Sequence, residues 1–374
     1  MIQVYKKQLP PACREQHRLW FALGAALTAA ACSAGVSAPE PVHIPLPPNA
    51  PIPTLYEVRE ETRQLVDGSR PTPANGAAPA LAQRNLPTDI RTPILQADAG
   101  ADVPRIFPLV LFVHGSSSGR ATSTFLLNGL AARGYLVAAA DFPLTALDTP
   151  GGASDWHCED QLGDLTFLAN TLFTAAQDPA DDLYGTLDAQ SGFSVVGHST
   201  GGTIAVLSAE APTPHDARVR AAVSLSGDSC FLADSIFHTR PLPLLFLGAT
   251  ADQLVPVADN IERAYSLAGP PATLGVLDGG THLFFTDFPL PDDIGGAPEP
   301  TTPSAPLAET LAAYGGGTAC TPQSPGPQTL SFDEQHALTV ALVADFLDSA
   351  VRADDAQLAA LLEELPPALA VVQK

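Results

Sequence analysis

The stretch FSVVGHSTGGTIAVLSAEA, residues 193–211, constrains the chain more than any other. A short apolar run suited to a buried strand passes straight into a longer apolar block of helical character, with no room for a connecting loop. Turning a strand into a helix so abruptly forces a strained bend, and glycines beside the bend residue relieve the clashes on both sides. Gly197 and Gly201 bracket one serine, Ser199, at the apex. This is the pattern G-x-S-x-G, in the strand-to-helix context that thrusts a nucleophile outward.

The rest of the chain supplies matching blocks. FPLVLFVHG (107–115) and YLVAAADFP (135–143) read as buried strands, and TSTFLLNGLAARG between them reads as a helix ended by Gly134. A helix is expected over about 163–177, then strands at RAAVSLSG (220–227), PLLFLGA (243–249) and ATLGVLDG (272–279). Strand and helix alternating, with nearly continuous apolar strands, predict an α/β fold: a mostly parallel central sheet with helices on both faces. Sites in such sheets lie at the strand carboxyl ends. Residues 286–329 are rich in Pro, Gly and Thr and read as a long loop insertion. SFDEQHALTVALVADFLDSAV then reads as a helix capped by Ser331 with Glu334 in capping-box position. The expected division is a signal peptide over 1–31, a Pro-rich tether over 32–53, one domain over 54–352 and a C-terminal helical tail over 353–374.

A serine hydroxyl holds its proton at neutral pH, so attack requires a general base. The order nucleophile, acid, histidine is met by Ser199, Asp252 in the loop after PLLFLGA, and His282 in the glycine-rich loop after ATLGVLDG. Asp228, in LSGDSC, is the rival acid, and capping a following helix is the plain alternative role for Asp252. Asp278 sits too close to His282 in the same loop. His238 and His336 read as surface or satisfied histidines, and His198 as a structural neighbour of the elbow. Attack on a carbonyl puts charge on its oxygen, which preplaced backbone N–H groups stabilise. The expected donors are Thr200, just after the nucleophile, and Ser116, just after His114-Gly115.

Composition narrows the partners. A net charge of -22 from 18 Lys and Arg against 40 Asp and Glu leaves no basic stripe beyond the first twenty residues, which excludes nucleic acid as an expected partner. Lys6, Lys7, Arg14 and Arg18 precede the short apolar stretch LWFALGAALTAAAC, the layout of an export signal. Two processing schemes fit: cleavage near Ala31, or lipidation of Cys32, which would tether the protein to a membrane. The expected location is therefore secreted, periplasmic or lipid-anchored. In an oxidising compartment, Cys158, Cys230 and Cys320 allow one disulfide and one free thiol, with the pairing open. No cysteine or histidine pattern suggests a metal, and no cofactor is expected.

The segments PLVLFVHGSSSG, LAARGYLVAAADFP, VVGHSTGG, FLGATADQLVP and GGTHLFF together resemble the α/β-hydrolases, with the strongest likeness to the dienelactone-hydrolase-like and platelet-activating-factor-acetylhydrolase-like esterases. VDGSRPTP (66–73) and RNLPTDIRTP (84–93) resemble that group's first strands. The resemblance implies a serine esterase that cleaves small or lipid-like carboxylic esters through an acyl-enzyme, with Ser199, His282 and Asp252 as triad. An amidase or peptidase with the same triad, and a non-catalytic binding module on this scaffold, are the alternatives. The chain departs from the group in carrying Ile90-Arg91-Thr92 where aromatic residues are usual. It also lacks a cysteine shortly after His282, and Trp156-His157 stands away from the position that marks polyester hydrolases.

Overall fold

The computed structural model describes residues 56–94, 106–155, 157–212, 216–289, 309–314 and 325–374. The expected signal peptide (1–31) and tether (32–53) lie outside the described residues.

Among the described residues, nine strands form one sheet: β1 (Glu57–Asp67), β2 (Arg84–Ile94), β3 (Leu109–Val113), β4 (Leu136–Ala140), β5 (Phe193–His198), β6 (Val219–Leu225), β7 (Leu244–Ala249), β8 (Ala272–Leu277) and β9 (Leu369–Gln373). Their order is β1-β2-β4-β3-β5-β6-β7-β8-β9. From β4 to β8 all pairings are parallel, while β1–β2, β2–β4 and β8–β9 are antiparallel. The chain thus has the mostly parallel α/β architecture expected of it. Burial explains the composition of the strands: β3, β4 and β7 are buried at every position and almost wholly apolar, whereas the edge strand β1, EVREETRQLVD, alternates exposed and half-buried residues. Its charges also leave the sheet edge unattractive to other strands.

Helices among the described residues include α1 (Thr124–Ala132), α2 (Asp160–Ala175), α3 (Thr200–Glu210), α4 (Arg263–Leu267), α5 (Phe332–Arg352) and α6 (Ala356–Glu363). α1 packs on α5, and α2 on α3. Gly129 of α1 lies so close to Val340 of α5 that a Cβ there would come within 2.6 Å of a Val340 methyl. Beside this contact Arg133 donates to Asp345 at 2.9 Å, and the buried Tyr135 hydroxyl donates to Asp348 at 2.5 Å. The α5 capping box forms as expected: the Ser331 hydroxyl accepts from Glu334 N, and Glu334 accepts from Ser331 N. α1 is capped from a distance, by Asp287 accepting from the N–H groups of Thr124 and Phe125 at 2.6 and 3.1 Å.

Three expectations need correction. α2 begins at Asp160, not near 163. The C-terminal segment is not a helical tail: α6 is followed by β9, whose Leu369–Gln373 pairs with β8 and closes that edge of the sheet. Its sequence LAVVQ is too short for periodicity to separate strand from helix. Within the 286–329 insertion, residues 309–314 form a helical turn, held where Ala233 N donates to Tyr314 O at 3.3 Å.

The first hairpin is tied to the body of the domain by a buried ion cluster. Arg84, at the start of β2 and 1% exposed, makes a bidentate pair with Asp164 of α2 at 2.6 and 2.7 Å, and Arg70 adds a bond of 2.5 Å to the same carboxylate. Removing one member of a buried pair strands the other charge without water. Asp164→Ala is therefore expected to lower unfolding free energy by about 3–5 kcal/mol. Urea denaturation checks this, and a loss under about 1 kcal/mol, the level of an exposed pair, contradicts it.

Candidate active site

Ser199 takes φ 56° and ψ -128°, a left-handed backbone conformation rare for a residue with a Cβ. The two flanking glycines make it tolerable. A Cβ on Gly197 would stand 2.0 Å from the Gly201 carbonyl oxygen, and one on Gly201 would stand 2.1 Å from the Val113 carbonyl oxygen. The turn is anchored by Ser199 N donating to Leu225 O at 2.9 Å, and by Gly202 N and Thr203 N donating to Ser199 O. Ser199 stays partly exposed between His198 and Thr200, which are both buried.

His282 and Asp252 come together as expected. The His282 Nδ1 lies 2.8 Å from Asp252 Oδ2, with both side chains withdrawn from solvent. The other Asp252 oxygen accepts from Leu254 N and Val255 N at 2.9 and 2.7 Å, so the carboxylate also holds its own loop. The plain turn-capping role and the histidine contact coexist, one on each oxygen. The two loops are laced to each other: Ala251 N donates to Gly280 O, Thr250 N to Leu277 O, and Thr250 Oγ1 to Asp278. Asp278 thus serves the lacing. The His282 ring centroid lies 4.6 Å from that of His198, which sets the imidazole beside the residue preceding Ser199.

Gln335 is a residue the sequence reading missed. Wholly buried on α5, it accepts from Thr281 N at 2.9 Å and donates to Thr281 O at 2.8 Å, gripping the peptide just before His282. The available signal was a polar side chain on the inward face of an amphipathic helix. His336, one residue on, meets Thr286 O through Nε2 at 2.9 Å and stacks on Phe125, so it is satisfied structurally as expected. His238 ends the short turn Asp234–His238.

The loop after β3 lies over the elbow because β3 and β5 are neighbours, with Val113 paired to Gly197. A Cβ on Gly115 would come within 2.9 Å of the Ser199 Cβ. Ser117 N donates to Thr145 O at 2.9 Å and Leu147 N to Ser118 O at 2.8 Å, which fastens the loop to the segment after β4. Arg120 pairs with Asp141 and with Asp89 and closes its far end. Among the described residues the N–H groups of Ser116 and Thr200 donate to no protein acceptor. Thr200 N also lies in the first turn of α3, where the helix dipole favours negative charge.

Asp228, the rival acid, is 4% exposed and has its Oδ2 3.5 Å from Thr200 Oγ1, at the limit of a hydrogen bond. Burial pushes its carboxyl up to about 6, with Asp155 and Asp252 adding to the rise and His282 opposing it. Burial and the nearby His282 both press the His198 pKa well below the ordinary histidine value. Cys158 is a buried free thiol pushed far up by burial and by Asp155 and Glu159, whereas Cys230 is disulfide-bonded. Its partner therefore lies outside the described residues.

Among solved structures, the chain is similar to a ferulic acid esterase from Streptomyces cinnamoneus, at 24% identity and a TM-score of 0.54, over 87% of this chain and 98% of that one. No family model matches the chain. No curated protein matches it either. Strand order and structural likeness together define the fold as that of the α/β-hydrolases.

A carboxyl whose folded pKa lies above its ordinary 3.8 contributes stability that is complete below that value and lost as the pH rises through about 6. Asp228→Asn is thus expected to raise Tm over wild type at about pH 8, with the gain shrinking at about pH 4. Thermal denaturation at both pH values checks this, and an equal gain at both contradicts it.

Proposed function

We propose that the protein is a serine hydrolase that cleaves carboxylic esters. The observation that supports this reading is the strained Ser199 at the β5–α3 bend, with the buried Asp252–His282 pair brought by the loops after two later strands against His198, the residue before Ser199. Ser199 Oγ attacks the ester carbonyl carbon as His282 Nε2 takes its proton. Asp252 holds Nδ1–H and stabilises the imidazolium that forms. The N–H groups of Ser116 and Thr200 receive the oxyanion. Collapse expels the alcohol, protonated by His282, and leaves an acyl-serine. Water activated by the same histidine then attacks that ester and frees the acid.

Thr200 N–H at the head of α3 and Ser116 N–H above the elbow, both without protein acceptors among the described residues, support the oxyanion role. The ferulic acid esterase, an ester-cleaving enzyme by name, carries the same fold. Asp252 is supported over Asp228 by its 2.8 Å contact with His282. The disulfide at Cys230 supports an exported protein, since such bonds persist in oxidising compartments. Small or lipid-like esters are the substrate class, and lipid attachment at Cys32 remains part of this reading.

Hydrolysis of p-nitrophenyl esters and labelling of Ser199 by a fluorophosphonate test the proposal. Ser199→Ala and His282→Ala are expected to remove turnover with folding intact, and Asp252→Asn to lower kcat by about four powers of ten. Asp228→Asn keeps turnover. Near-normal Asp252→Asn with inactive Asp228→Asn overturns the choice of acid. Faster cleavage of matched anilides than of esters identifies an amidase, and absence of labelling in folded protein identifies a binding module.

A further inference from the structure

We infer that His114 is a positioning residue for the oxyanion: it aims the Gly115–Ser116 peptide so that the Ser116 N–H faces the attacked carbonyl. The inference rests on the serine-esterase reading and deepens it.

A trans peptide is planar, so its C=O and N–H point in opposite directions and fixing one fixes the other. The Gly115 carbonyl and the Ser116 N–H belong to one such plane. His114 Nδ1 lies 2.8 Å from Gly115 O, while the N–H of Phe142 donates to His114 Nε2 at 3.1 Å. Because Nε2 accepts, it carries no proton, and the neutral ring carries its proton on Nδ1. The bond to Gly115 O is therefore a donated one. Phe142 lies in the segment just after β4, so the tautomer is dictated by a backbone N–H outside the loop that it controls.

Three further observations fit this role. His114 is 2% exposed, so water does not compete for either nitrogen. Burial also holds its pKa below the ordinary histidine value, although the Gly115 bond and the nearby Asp141 press the other way. Finally, the peptide in question lies against the nucleophile, as the 2.9 Å approach of a Gly115 Cβ to the Ser199 Cβ requires. Without the His114 bond, Gly115, which has no side chain to resist rotation, leaves the plane free to turn.

Two substitutions separate the two bonds. His114→Asn keeps an amide N–H near the Nδ1 position and loses the Nε2 acceptor; His114→Gln keeps an acceptor near Nε2 and loses the Nδ1 donor. Both are compared with wild type in hydrolysis of p-nitrophenyl butyrate and in affinity for an alkyl boronic acid, whose serine adduct is tetrahedral and anionic.

His114→Gln is expected to lose kcat by about two powers of ten, the scale of a missing oxyanion donor, with KM near wild type and boronate affinity falling in step. His114→Asn retains at least about tenfold more kcat than His114→Gln. Equal losses in the two variants, or full kcat in His114→Gln, overturn the inference. Wild type that neither turns over ester nor takes a fluorophosphonate at Ser199 overturns the esterase reading itself, and this inference with it. Should His114→Gln not fold, ring-nitrogen NMR of wild type decides: a proton on Nδ1 and none on Nε2 is expected, and the opposite tautomer overturns the inference.

Discussion

The positive φ of Ser199 is the constraint on which the rest of the molecule depends. A residue with a Cβ adopts such a conformation only when its surroundings over-determine it. Here they do: β5 ends and α3 begins with no intervening loop, and β-carbons are missing at three close approaches, two against backbone and one against the serine side chain. Gly201 must pass under the Val113 carbonyl, Gly197 must pass the Gly201 carbonyl, and Gly115 must clear the serine itself. One approach lies within the β5–α3 elbow and two set the elbow against β3 and the loop after it. The bend therefore also fixes how β3 and β5 meet, and with them the loop that carries Ser116.

Around that bend the sheet gathers groups that the chain keeps far apart. Successive parallel strands deliver Ser116, Ser199, Asp252 and His282 to one edge. Backbone bonds then lace neighbouring loops together so that few side chains must order themselves when a substrate arrives. Burial sets the electrostatics. Asp252 accepts from two backbone N–H groups and faces His282. Burial raises the pKa of Asp228, whose Oδ2 lies 3.5 Å from Thr200 Oγ1. Two carboxylates near one imidazole are thus distinguished by what else each oxygen can hold. His282 is paired with the Asp252 carboxylate, while burial presses the pKa values of His114 and His198 down.

The parts of this arrangement legible in the sequence are those written in local chemistry. Gly197, Ser199 and Gly201 announce the bend because a Cβ at either glycine would strike backbone there. The apolar runs of β3 to β8 announce a sheet buried on both faces, and Ser331 with Glu334 announces the start of α5. Features that depend on distant partners were not legible. Gln335 is one polar residue in a helix until Thr281 is placed beside it, and Arg84 looks like an edge charge until Asp164 turns inward to meet it. β9 is a strand only because β8 offers an unpaired edge. Asp287 caps α1 across a long stretch of chain, a role that no local pattern encodes.

The most direct test of the central claim is a crystal structure of the protein treated with diethyl p-nitrophenyl phosphate. The expected result is a diethylphosphoryl group bonded to Ser199 Oγ, its phosphoryl oxygen within hydrogen-bond distance of the Ser116 and Thr200 N–H groups, and an ethoxy oxygen turned toward His282. A phosphorus atom on another residue, or a phosphoryl oxygen turned away from both amides with Ser199 modified, contradicts the account.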